Sequence, residues 1–122
     1  MWRLNDIEPE SLDYGAMRVK NGGYALRPEI VESTYYLHHY TGDPHYRAMG
    51  RELFADFTRY CRTDSGYAGR ADQGEKDSME SWVFAEVFKY YYLLFSPKQT
   101  LDFDSVVFNT EAHPLRRDPA LQ

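Results

Sequence analysis

The stretch Pro28-Glu29-Ile30-Val31-Glu32-Ser33-Thr34-Tyr35-Tyr36-Leu37-His38-His39-Tyr40-Thr41-Gly42-Asp43-Pro44 carries the decisive punctuation of this 122-residue chain. Proline suits a first helical turn, where the missing N–H costs nothing. It also drives Arg27 toward an extended conformation. Gly42 is a natural left-handed stop. Asp43 followed by Pro44 is an N-cap and first position for a second helix. The spacing therefore predicts a helix from Pro28 to about Tyr40, a tight turn, and a second helix lying antiparallel to the first. The first helix has apolar or aromatic residues on two faces (Ile30, Thr34, Leu37 and Val31, Tyr35, His38), so it calls for burial on both sides. In the second, Tyr46, Met49, Leu53, Phe57 and Tyr60 recur at helical spacing, while Arg47, Arg51, Glu52, Asp56 and Arg59 fall largely on other faces and keep one side wet.

Upstream, residues 1–23 lack periodicity and read as loop, with a short extended piece around Tyr14–Val19. Downstream, Thr63–Gly74 is turn-rich, with a short strand expected at Tyr67-Ala68. A third helix is expected from about Asp77 to Phe95, stopped by Ser96-Pro97. Val106-Val107-Phe108 reads as a short buried strand, and the polar tail from Pro114 as frayed. Two helices that want burial on both sides, in a chain with only three, describe part of something larger: an inner and an outer ring of helices.

The formal net charge is −5, and no basic cluster is interleaved with aromatics. A nucleic-acid surface is therefore excluded. No run approaches the ~20 apolar residues of a membrane span. Met1–Asp6 has no apolar core like that of a signal peptide. The single cysteine, Cys61, sits beside Phe57 and Tyr60 and reads as a small core residue. Aromatics make up 16% of the chain and include 11 tyrosines. Such a content suits a hydroxyl-lined cavity, because each buried phenol needs a partner, and equally suits tyrosines spread over helix surfaces.

Three segments hold residues able to do chemistry. In Leu26–Ser33, Glu29 lies in the first helical turn, where the helix dipole favours the ionised form that a base requires. Glu32 shares its face, and Arg27 is placed to pair with a carboxylate or with sugar hydroxyls. Acidic residues in a first turn are also ordinary helix-stabilising choices, and spacing alone favours that plainer reading. In Met79–Glu86, two carboxylates sit in an apolar run, and buried carboxylates need partners or a metal. Trp82 and Glu86, four apart, can clamp a saccharide between ring and acid; equally, Trp82 can be core and Glu86 paired with an arginine. In Phe108–Pro114, Asn109, Thr110 and Glu111 offer consecutive oxygen donors of the kind calcium takes, without an EF-hand loop. His113 reads as a loop residue. No Cys/His zinc set, phosphate loop or nucleophile elbow is present.

The stretches LRPEIVES (26–33), YTGDPHYR (40–47), GYAG (66–69), SMESWVFAEVFKYYYLLFSP (78–97) and VFNTEAHP (107–114) resemble, in order and spacing, the closing motifs of the family 47 α-mannosidases. The resemblance runs from about Asp13 to Arg117, in a form nearer bacterial members. It implies an all-α fold, the (αα)7 barrel, of which residues 1–122 are the C-terminal part. It also implies calcium-dependent, inverting hydrolysis of terminal α-1,2-linked mannose from oligomannose glycans. Glu29 matches the catalytic base and Arg27 a substrate-binding arginine. Thr110 matches the residue that gives calcium its carbonyl and hydroxyl oxygens. Glu32, Glu86 and Glu111 match acids that hold sugar hydroxyls or the waters around calcium, as Glu29 does too. Trp82 stands where the family usually has phenylalanine. The partner acid lies upstream in this family and its motif is absent here, so the chain alone is expected to be inactive and to need the rest of the catalytic domain. The resemblance implies an extracytoplasmic setting, periplasmic or secreted, or the secretory pathway in a eukaryote. The competing reading is a non-catalytic module that binds mannosylated glycoprotein.

Overall fold

The computed structural model describes residues 5–71 and 74–118; Met1–Leu4, the end of the expected frayed tail and part of the turn-rich segment lie outside them. Helix α1 is Glu29–Thr41 and α2 is Pro44–Cys61, joined by two residues. Gly42 adopts φ 70° and donates its N–H to the His38 carbonyl at 2.9 Å, closing α1. The Asp43 carboxylate accepts from the His45 N–H at 2.8 Å and opens α2. The punctuation read from the sequence thus acts as expected.

The third helix starts later than expected. A single π-helical turn spans Val83–Val87 and leads into α3, Phe88–Phe95. Asp77–Ser81 stays outside it. The Ser78 hydroxyl donates to Glu80 Oε1 at 2.7 Å, and the Ser78 carbonyl accepts from the Gly69 N–H at 3.1 Å. The Ser78 backbone is thus engaged outside the helix, its N–H on the Lys76 carbonyl at 2.6 Å and its carbonyl on Gly69. Within the π turn, the Phe88 N–H reaches back five residues to the Val83 carbonyl.

The three helices pack on one another. α1 buries Val31, Thr34 and Tyr35; α2 buries Gly50, Leu53, Phe57 and Cys61; α3 buries Tyr90, Tyr91 and Leu94. Gly50 makes the close approach of α2 to α3 possible, since a Cβ there would collide with the Leu94 side chain. Arg47, expected on the wet side, is partly buried and donates from Nη2 to the Phe95 carbonyl at 2.9 Å, capping the end of α3. Burial pushes the Cys61 thiol up to about 12, as befits an inert core cysteine. Only one side of α1 is covered: Ile30, Leu37 and Tyr40 are exposed, as are Phe84 and Tyr92 on the third helix.

Among the described residues the remaining strands form three two-stranded antiparallel ribbons. β1 (Ser11–Asp13) pairs with β2 (Arg18–Asn21), so the expected extended piece at Tyr14–Val19 is largely the turn of a hairpin, fastened by the Ala16 N–H on Asp13 Oδ1. β3 (Gly69–Arg70) pairs with β4 (Glu75–Lys76), two residues beyond the expected Tyr67-Ala68 strand. β5 (Val106–Phe108) is where the apolar run placed it, and pairs with β6 (Pro114–Arg116). The start of the tail is therefore strand rather than frayed coil, and the Arg117 N–H extends the ribbon onto the Ser105 carbonyl at 2.9 Å.

Candidate active site

The segment before α1 is held at several points. The Ala25 N–H donates to Glu10 Oε1 at 2.6 Å, Arg27 Nε donates to Glu10 Oε2 at 2.8 Å, and the Tyr24 hydroxyl donates to the Arg27 carbonyl at 3.0 Å. The Trp82 indole N–H donates to the Ala25 carbonyl at 3.1 Å. Inside this frame Leu26, fully buried, has φ 57°. The left-handed region costs an L-residue about 1–2 kcal/mol, so the surroundings must impose it. The turn delivers buried Pro28 and then exposed Glu29 at the first residue of α1. Arg27 is half exposed, its guanidinium already paired.

One turn on, Glu32 faces the core, where the buried Tyr90 hydroxyl donates to its Oε1 at 3.1 Å. This fulfils the expectation that a buried phenol finds a polar partner. Glu86, in the π turn, is only 5% exposed. Burial pushes its carboxyl above the ordinary range; Glu111, Glu32 and Glu29 push it further, and Lys89 opposes them. Those carboxylates come from α1 and from the β5–β6 turn, and the opposing charge is a lysine.

The β5–β6 turn is built by Asn109. Its Oδ1 accepts from the N–H groups of Glu111 (3.1 Å) and His113 (2.8 Å), leaving Thr110 and Glu111 exposed at the tip. His113 is thus the loop residue it was read to be. Ala112, fully buried at φ 55°, presents its carbonyl to Lys89 Nζ at 2.6 Å, and Lys89 also lies 5.9 Å from the centre of the Phe108 ring. The turn carrying Thr110 is therefore tied to the helix carrying Glu86.

Of the residues singled out in the sequence, Glu29, Glu32 and Glu111 each act on the Glu86 carboxyl. Thr110 joins them as the neighbour of Glu111, and Glu29 acts on Arg27. Trp82 is half-buried and committed to Ala25. Sequence reasoning missed Glu10, Tyr90 and Lys89, and read Asn109 as an oxygen donor for a metal where its Oδ1 organises the turn. Tyr90 left a signal, lying four residues from Glu86; Glu10 left none.

For a metal, no three His, Cys, Asp or Glu side chains among the described residues form a direct cage. Hard oxygen donors are nonetheless what the turn offers: Thr110 and Glu111, adjacent and exposed at its tip. That donor set fits calcium held by few protein ligands and completed by water.

Residues 3–117 match the family model of glycosyl hydrolase family 47. The chain belongs to glycosyl hydrolase family 47. Within this family it is 39% identical over 120 residues to the mannosyl-oligosaccharide alpha-1,2-mannosidase 1B of Aspergillus oryzae, covering 89% of this chain and 24% of that protein. It is 43% identical over 120 residues to the human mannosyl-oligosaccharide 1,2-alpha-mannosidase IB, covering 89% of this chain and 19% of that protein. Its fold is similar to the alpha-1,2-mannosidase from Trichoderma reesei, with a TM-score of 0.69 and 38% identity over 77% of this chain and 22% of that one. The family 47 chain described here thus spans about a quarter or less of the length of these relatives. They are fungal and human proteins, and the expected bacterial character finds no support among them. No helix among the described residues is long and apolar enough to cross a membrane.

Proposed function

We propose that this chain forms the closing part of the (αα)7-barrel catalytic domain of an exo-acting, inverting α-1,2-mannosidase that trims oligomannose glycans. What supports the reading is the family 47 match over residues 3–117, with Glu29 at the first residue of α1, buried Glu86 in the π turn and Thr110 exposed at the β5–β6 turn. The uncovered apolar faces of α1 and α3 are the surfaces on which the remainder of such a domain would close. A glycan substrate of this class goes with an extracytoplasmic setting.

In this reading Glu29, ionised at the positive end of α1, takes a proton from a water. That water's oxygen bonds to the anomeric carbon while the bond to the departing sugar oxygen breaks. The departing oxygen is protonated by a carboxylic acid from the rest of the domain, on the opposite side of the sugar ring. Arg27, oriented by Glu10, donates to sugar oxygens. Trp82 offers its indole face to the sugar's C–H groups, and Glu86 and Glu32 accept from hydroxyls. Thr110 would hold calcium through its carbonyl and hydroxyl, with Glu111 beside it; bound there, calcium supplies positive charge that orients sugar hydroxyls and polarises water.

The test is proton NMR of the complete domain containing this chain during early turnover of α-1,2-mannobiose with calcium present. Mannose should appear first as the β-anomer. Initial α-anomer would overturn the inverting assignment; binding of oligomannose without any turnover would make this a lectin-like module instead.

A further inference from the structure

Ala25 is gripped on both sides of its backbone. Its N–H is held by Glu10 Oε1 at 2.6 Å, and its carbonyl by the Trp82 indole N–H at 3.1 Å. The two grips come from distant parts of the chain: Glu10 just before the first hairpin, Trp82 just before the π turn. Glu10 spans two targets, since its other oxygen holds Arg27 Nε at 2.8 Å. An exposed Arg–Glu pair usually contributes little. Here the Glu10 side chain is only 19% exposed and accepts from a backbone amide and a guanidinium together, a charge-assisted arrangement that fixes direction as well as distance. Leu26, at φ 57° and fully buried, is the next residue, and its conformation persists only while its neighbours impose it.

We infer that Glu10 and Trp82 are a pair of positioning residues: they lock the Ala25 peptide from two sides, hold Leu26 in its left-handed turn, and so set where Arg27 and Glu29 stand. The lock rests on hydrogen bonds alone; the roles of Arg27 and Glu29 that it serves rest on the mannosidase reading. An indole does here what a phenyl ring cannot. A phenylalanine at position 82 offers a face to a sugar but no N–H to Ala25, so this chain adds a strap to the face. Trp82 thereby links the helix bearing Glu86 to the segment bearing Arg27 and Glu29, and the two halves of the site move as one.

The test separates the N–H from the ring. Trp82 is replaced by phenylalanine, by benzothienylalanine (same shape, sulfur in place of N–H) and by 5-fluorotryptophan (N–H retained). Amide hydrogen exchange is followed at Ala25, Leu26 and Arg27 in the 122-residue chain, and mannose release in the complete domain. Loss of one hydrogen bond corresponds to about fivefold to tenfold faster local exchange. That acceleration is expected for the first two replacements and not for the third, with α3 amides unchanged. kcat should fall in the same two variants and be restored in the third. Glu10→Gln, which frees Arg27, should chiefly raise KM. Native exchange and turnover in the benzothienylalanine variant would overturn the strap. Acceleration spread evenly over α1–α3 would do so too, by making Trp82 a general packing residue. If the native domain releases no mannose at all, the mannosidase reading falls, while the exchange contrast still decides the lock.

Discussion

The Lys89 ammonium donates to the Ala112 carbonyl at 2.6 Å, tying the start of α3 to the turn that carries Thr110 and Glu111. Ala112 is fully buried in the left-handed region, so water cannot replace that donor. Hydrogen bonds to charged groups contribute about 1.5–3 kcal/mol. Lys89→Met keeps the aliphatic stem against Phe108 and removes the donor. It should lower the denaturation midpoint and speed amide exchange from Asn109 to His113. Unchanged exchange there would show that the turn holds itself.

Thr110→Ala should weaken calcium binding in the complete domain, because it deletes a side-chain oxygen and leaves the carbonyl. Excess calcium should restore part of the lost activity. Calorimetry giving the same calcium affinity as the native protein would contradict the assignment.

Glu29→Gln should reduce turnover by ~10²–10⁴, the usual loss on removing a general base. Glycan affinity should stay near native, since the amide still hydrogen-bonds. A variant retaining most of kcat would remove Glu29 from that role.

Burial pushes the Glu8 carboxyl from its ordinary 4.5 to about 7, with the nearby Tyr24 hydroxyl opposing the shift and Glu29 adding to it. A carboxyl raised in the native state holds its proton longer there than in the unfolded chain. Native stability therefore falls as pH rises from about 4.5 to about 7, and the cost is fully present above that window. Glu8→Gln should flatten this part of the profile and stabilise the chain at pH 8. Urea midpoints measured from pH 4 to pH 8 that keep the native slope would refute it.

Gly50→Ala gains about 1 kcal/mol of helix propensity but forces a methyl into Leu94, and overpacking costs about 1–3 kcal/mol. The net effect should be destabilising. In a double-mutant cycle, Leu94→Ala should cost less in the Gly50→Ala background than alone. Additive losses would show that the helices do not meet at this point.

What was legible in the sequence followed from local chemistry. Pro28, Gly42, Asp43 and Pro44 act within a few bonds of themselves, so α1 and α2 could be read almost to their ends. Glu29 could be placed at a helix N-terminus for the same reason. The late start of the third helix was hidden because Ser78 bonds to Glu80, Lys76 and Gly69 instead of joining it. The strand β6 was hidden because its pairing depends on the Asn109 side chain organising a turn, and Pro114 reads as a breaker when taken alone. In the site, the four acids were legible as residue types. Their supports were not: Glu10 reaches Arg27 across 17 positions and Tyr90 reaches Glu32 across 58, and no local pattern reports such distances.

The π turn at Val83–Val87 has a consequence for how this chain can change. Such a turn amounts to one residue inserted into an α-helix, and it is less favourable than the regular bonding on either side. Deleting a single residue there would let the backbone bond regularly while rotating Glu86 out of phase with Tyr90 and with the acids that surround it. Selection for thermal tolerance alone would therefore favour losing that residue, and selection for the acid cluster would keep it. The turn thus sets helix stability against the placement of one acid, and its length records which of the two this chain keeps.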